Sequence, residues 1–330
     1  MLSLTWFERA HEQKLRSNLF AGLSKIMLSV SKQSFPRIGS LTINDEGLLK
    51  LSNRPLSCSL HQIENDGAPS LIPRDLTYAT ADTYYSDILD CHSQRIRHVP
   101  NSINDLDDGQ LQVGIIALMH SVSGHFTDRK LRSGPFVLTF TDMHQSNIFV
   151  DEEWNITAMI DLEWACVLPL EMLRPPHWLS NKNVDQLTDE NLTSYESLHR
   201  EFVRAVEREE TSIARNYSTS PSLTMNKGWR VGNFFYFAAL NSFVGMCNLF
   251  TDHIQPKFVT KGLNVDENFS RDASAYRTPD SNNFINAKVE DRKKYQDQIR
   301  NFFAGALKHA EDGQVESGKD AANISEETDE

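Results

Sequence analysis

The spacing of apolar residues divides the chain into elements. Leu15, Leu19, Leu23, Ile26, Met27 and Val30 recur at three- and four-residue steps, which predicts an amphipathic helix over 6–32. "SLTINDEGLLKLS" (40–52) switches to alternation around a turn-rich NDEG and reads as a β-hairpin. Residues 54–73 read as loop. Helices are predicted over 77–97 and 105–124, separated by Pro100 and the polar "NSINDLDDG". Later, Leu192, Tyr195, Leu198, Phe202, Val203 and Val206 define one helix face, and Ile299, Phe302, Phe303, Ala306 and Leu307 another. "FFYFAALNSFVGMCNLF" (234–250) is interrupted by Asn241, Ser242 and Asn248 and is short for a bilayer crossing, so it reads as one buried helix. The polar stretch 252–287, with Pro256 and Pro279, reads as a loop or extended excursion.

Between these helical regions, "FVLTF" (136–140) is a short apolar run leading to Asp142. "NIFVD" (147–151) and "ITAMID" (156–161) flank the four-residue "EEWN" and read as a second hairpin. Pairing Asp151 with Ile156 sets Asn147 opposite Ile160 and Ser146 opposite Asp161. Asn147 and Asp161 then share one end of the hairpin, since facing Cα atoms in such a ladder lie about 4.5–5.5 Å apart. An amide oxygen and a carboxylate converging there suit Mg²⁺, which keeps waters and phosphate oxygens as its remaining ligands. Asp142, on the preceding loop, is near enough to accept a proton from a hydroxyl held beside that metal. The order base, Asn, Asp is that of kinase-type phosphoryl transfer.

Composition narrows the classes. A chain of 330 residues with 39% hydrophobic content can bury a substantial core. Of the formal net charge of -12, residues 311–330 hold eight acids against Lys319, so the remainder is only mildly acidic. That balance argues against a nucleic-acid partner bound through phosphates. The aromatic-free 311–330 segment reads as a disordered acidic tail. Cys58, Cys91, Cys166 and Cys247 form no CxxC pair and read as reduced thiols. With no export signal and no membrane span legible, the expected location is cytoplasmic.

"LTFTDMHQSNIFV" followed by "ITAMIDLEWA" resembles the catalytic segment of the aminoglycoside phosphotransferase and choline kinase-like family, in particular its divergent fungal members. Asp142, His144, Asn147, Ile148, Ile160, Asp161 and Glu163 carry the match, strongest over 135–180. The resemblance implies an α+β, mostly helical fold over 1–310, corresponding to the C-terminal lobe of a protein-kinase-like fold with a small catalytic β-hairpin. It further implies ATP and Mg²⁺ as cofactors, Asp142 as catalytic base, Asn147 and Asp161 as metal ligands and cofactor-binding residues, and a small-molecule hydroxyl as acceptor. The family's His and Gly before the catalytic Asp are Phe140 and Thr141 here. No G-x-G precedes Asp142, so the chain reads as that lobe without its N-terminal, nucleotide-covering partner, and self-association through the face thus bared is expected. A rival reading is a non-catalytic pseudo-kinase that keeps the lobe as a binding scaffold. A metal-dependent phosphohydrolase would need a second carboxylate cluster, which the sequence does not offer.

For the neighbouring residues, the sequence favours packing roles. His144 reads as an inward-packed loop histidine, Trp164 and Trp178 as core, and Trp154 as exposed or edge-packed. Glu163 reads equally as a support for the metal shell or as a partner for a base such as Arg174. Glu196, Glu201 and Glu207 read as a solvated helix face.

Overall fold

The computed structural model describes the backbone of residues 1–213, 219–259 and 269–326 and, within these, all side chains except those of 270 and 305–326. The chain opens with α1 (Trp6–Arg9) and α2 (Gln13–Val30), β1 (Ser34–Phe35) and the antiparallel hairpin β2 (Ser40–Ile43) and β3 (Leu49–Asn53). Next come α3 (Cys58–Asn65), α4 (Ala81–His98) and α5 (Leu106–Phe126), then β4 (Phe136–Phe140), the hairpin β5 (Ile148–Val150) and β6 (Ile156–Met159), and β7 (Ala165–Pro169). Helices complete the fold: α6 (Asp189–Ser212), α7 (Pro221–Val231), α8 (Asn233–Asn241), α9 (Met246–Leu249), α10 (Phe269–Arg277) and α11 (Ser281–Glu326). The architecture is α+β and mostly helical, with small sheets.

Helix α2 exists because its apolar positions fall on one face: Leu15, Leu19, Phe20, Leu23 and Met27 are all buried. Phe20 meets Phe202 of α6 edge to face at 5.3 Å. Helix α5 starts where the Asp105 side chain accepts the Asp108 N–H, with Asp107 and Asp108 complementing the dipole of its first turn. Gly109 lets α11 approach: a Cβ there would come within 2.3 Å of Ile285 Cγ2.

One sheet positions the site. Strand β4 lies between β1 and β7, antiparallel to both, with Phe136 facing Pro169 and Phe140 facing Ala165. The ladder continues one residue further, since the Thr141 N–H donates to Trp164 O at 3.0 Å. Residues 141–164 therefore form an excursion closed at its base, with the β5–β6 hairpin inside it.

Four local expectations are corrected. The 54–73 segment contains α3, capped by the Ser57 side chain, which accepts the Leu60 N–H. Arg54 closes the segment by pairing with Glu64 at 2.7 Å and donating to Ser70 Oγ and Ile72 O. The 234–250 run is two helices, α8 and α9, broken where Ser242 Oγ accepts the Gly245 N–H at 3.0 Å. The 252–287 stretch contains α10 and the start of α11, while 260–268 lie outside the described residues. The α11 face carrying Ile299, Phe302 and Phe303 is turned to solvent, Phe302 being 72% exposed; Ala306 and Leu307 lie among the side chains not described. The backbone of α11 continues as helix to Glu326. Among the described residues no helix is long and apolar enough to cross a membrane.

Candidate functional site

The hairpin register at the site end is the one expected from sequence. Ile148 pairs with Met159 and Phe149 with Ala158, and the Ile160 N–H donates to Asn147 O at 3.0 Å. A bulge at the far end pairs Val150 with Ile156, so the irregularity is spent at the turn and leaves the Asn147 end in register.

Asp142 follows β4 and is half-buried. Its main-chain oxygen accepts the His144 N–H at 3.0 Å and Asn147 Nδ2 at 3.1 Å. Asn147 is buried and its Nδ2 also reaches Asp142 Oδ2 at 3.5 Å, at the limit of a hydrogen bond. That donor arrangement aims Asn147 Oδ1 away from Asp142, where it accepts only the Ser146 hydroxyl at 3.2 Å. Asp161 follows β6 with φ at 55°, in the left-handed region that costs a non-glycine residue energy. Its side chain is exposed, and no hydrogen bond joins its carboxylate to Asn147 or Asp142 among the described residues. The structure thus bonds Asp142 to Asn147, while Asp161 joins them through the backbone register alone.

Two supports hold this loop. Thr141 Oγ1 donates to Trp164 O at 2.8 Å and accepts the Cys58 N–H at 3.1 Å, tying the loop to α3. Burial, followed by the charges of Asp142 and Glu163, pushes the Cys58 thiol up, so both carboxylates act on the same wall. Trp164 packs against His61 at 4.6 Å. From the opposite side, Trp178 Nε1 donates to Met143 O at 2.8 Å. Trp6 stacks on Trp154 at 5.3 Å and meets Trp178 edge-on at 5.2 Å. Trp154 is therefore fully buried, correcting the expectation of an exposed or edge-packed turn residue: φ at 60° turns its indole inward beneath α1.

His144 caps the 3₁₀ turn 145–147, its Nδ1 facing the Ser146 hydroxyl at 3.1 Å. Glu163 is exposed and forms no pair with Arg174, whose guanidinium instead lies over the Phe234 ring. Glu201 pairs with Arg16 at 3.1 Å and Glu196 with Arg200 at 3.3 Å, so these acids are engaged on the α6 surface.

The donor set fits a hard cation in kind: an amide oxygen with spare acceptor capacity and a carboxylate. Among the described residues no three His, Cys, Asp or Glu side chains group as a metal site. Two protein ligands with water and phosphate oxygens remain an ordinary arrangement for Mg²⁺. The sequence did not disclose Thr141, Cys58 or Trp6 as site supports, because each acts through a tertiary contact. Comparison with known proteins finds no matching family model, curated protein or solved structure.

Proposed function

We propose that the chain is a phosphotransferase of the aminoglycoside phosphotransferase and choline kinase-like type, using Mg-ATP and a small-molecule hydroxyl acceptor, on the C-terminal lobe of a kinase-like fold. The observation that carries the reading is the hairpin register, which sets Asn147 opposite Ile160 and directly before a left-handed Asp161, with the Asn147 amide hydrogen-bonded to Asp142. Backbone strain at a polar, exposed residue is a feature of functional sites. In this reading Asp142 accepts the acceptor's hydroxyl proton. Asn147 orients the Asp142 segment through Nδ2 and offers Oδ1 outward. Asp161 offers its carboxylate beside it. Bound Mg²⁺ supplies charge stabilisation for the transferred phosphoryl group.

The test is calorimetric titration of the full chain with ATP, with and without Mg²⁺, beside an ATP-consumption assay over a panel of small polyols and amino alcohols. Asp161→Ala is expected to abolish Mg²⁺-dependent nucleotide binding, and Asp142→Asn to spare binding and remove transfer. Equal loss of binding in both variants would sink the role assignment. Mg-ATP binding without transfer to any acceptor would favour the pseudo-kinase scaffold.

A further inference from the structure

A cavity of about 650 Å³ opens beside the candidate site, its wall including Thr141 and Met143 on either side of Asp142. Its volume is that of a small-molecule site. Ile63, Leu138, Phe140, Leu168, Met172 and Phe243 give it an apolar body. The unusual group on its wall is Arg174.

Arg174 precedes Pro175 and Pro176, which fix the chain direction there. Its guanidinium lies 5.7 Å from the centre of the Phe234 ring. Nη1 is shut off from solvent and has no hydrogen-bond partner, and no ion pair involves this side chain among the described residues. Burial lowers its pKa, as expected for a desolvated cation without a counter-ion. Arg174 as a whole keeps partial exposure, but a guanidinium nitrogen shut off from solvent is ordinarily paired.

Two bland accounts fall short. A second cavity of about 10 Å³ touches Arg174 and His199, whose Nε2 is likewise unpartnered. One water fits there, but a neutral water leaves the charge uncompensated. Glu171 also lines that small cavity, yet its oxygens already accept the Tyr85 hydroxyl and the Asp128 N–H, both at 2.8 Å. Burial also raises its pKa to about 7, toward the neutral form.

A second guanidinium, Arg95, lines the same cavity as Arg174 and, among the described residues, bonds only the neutral Gln112, at 3.2 Å. His177, also on the wall, is depressed to about 4 by burial and by Arg174, and is neutral at physiological pH. Asp66 and Asp185 line the cavity as well, Asp66 being exposed and Asp185 partly so. The two aspartates balance the two arginines in formal charge, which weighs against a dianion. The planar fork of an arginine matches a carboxylate.

We propose that this cavity binds an amphipathic carboxylate, its charged end on Arg174 and its apolar body along the Leu138–Phe140–Phe243 wall. The proposal stands apart from phosphoryl transfer, since it needs neither a nucleotide nor Asp142.

The test uses the full chain, with calorimetry and thermal unfolding in the presence of hexanoate, octanoate, 3-phenylpropanoate and 2-naphthoate. Octanamide, octylamine and octyl phosphate serve as controls. At least one carboxylate is expected to bind tighter than about 1 mM and at least tenfold tighter than the matched amide and amine. Arg174→Met should weaken that binding at least tenfold, and Arg95→Gln less so. Because Arg174→Met removes a partly buried cation that has no ion pair among the described residues, the unliganded variant should melt no lower than the parent chain. Equal binding of amine and carboxylate, tighter binding of the phosphate, binding of no carboxylate, or melting of Arg174→Met lower by more than about 4 °C would each overturn the proposal. The last result would mark Arg174 as purely structural.

Discussion

Glu171 allows a quantitative prediction. Its side chain is 5% exposed, Oε1 accepting the Tyr85 hydroxyl and Oε2 the Asp128 N–H, both at 2.8 Å. Burial dominates these two bonds and raises its pKa from 4.5 to about 7. The folded chain therefore holds a proton that the unfolded chain has released between those values, so stability from this group falls as pH rises across that window and levels off above pH 7. At 1.36 kcal/mol per unit, the full loss is about 3 kcal/mol. Glu171→Gln removes the titration and gives up one acceptor, at a cost of about 1–3 kcal/mol. Urea unfolding of both proteins at half-unit steps from pH 5 to pH 8.5 measures the difference. The parent chain should lose stability relative to the variant as pH rises, with the steepest change between pH 5 and 7. A constant difference across the range would show that Glu171 is ionised in the fold and that its hydrogen bonds outweigh its burial.

Trp6→Ala should cost about 3–5 kcal/mol and raise hydrogen exchange at the Asp151–Asn155 turn above Trp154; unchanged exchange there would dissociate Trp6 from the hairpin. Thr141→Val keeps the shape but leaves the part-buried Cys58 N–H without its acceptor, for a loss of about 1–3 kcal/mol in urea unfolding; a neutral result would mean that water replaces the hydroxyl. Gly109→Ala forces a Cβ into Ile285 and should cost about 1–3 kcal/mol, and a melting curve superimposable on the parent's would refute the α5–α11 contact.

What was legible in the sequence follows from the range of the forces involved. The hairpin register could be read because two β-branched runs and a four-residue link fix pairing locally, and the bulge absorbed the only misfit at the turn. Helices α2, α4, α5 and α6 were legible from long apolar stripes. Helix α3 was not, being a short helix whose buried Leu60 and Ile63 give too little periodicity, although the Ser57 cap was a usable signal. Trp154 was misread because its partner, Trp6, comes from the first helix, and nothing near the turn announces it. Break points such as Ser242 depend on one side chain returning to the backbone, which propensity does not reveal. The roles of Asp142, Asn147 and Asp161 remain a proposal resting on pattern and register.

The indole cluster beneath the hairpin has an optical consequence. Trp6, Trp154 and Trp178 are three of the chain's five tryptophans, mutually packed within 5.3 Å where they touch and bonded through Trp178 to the loop after Asp142. Neighbouring indoles couple electronically, so the near-ultraviolet circular dichroism of this protein should carry a strong contribution from the buttress of its candidate site. A ligand that moves the 142–147 loop would then announce itself without any added label, as a change in ellipticity on top of a steady contribution from Trp229, which packs among Tyr195, His199, Phe234 and Phe235.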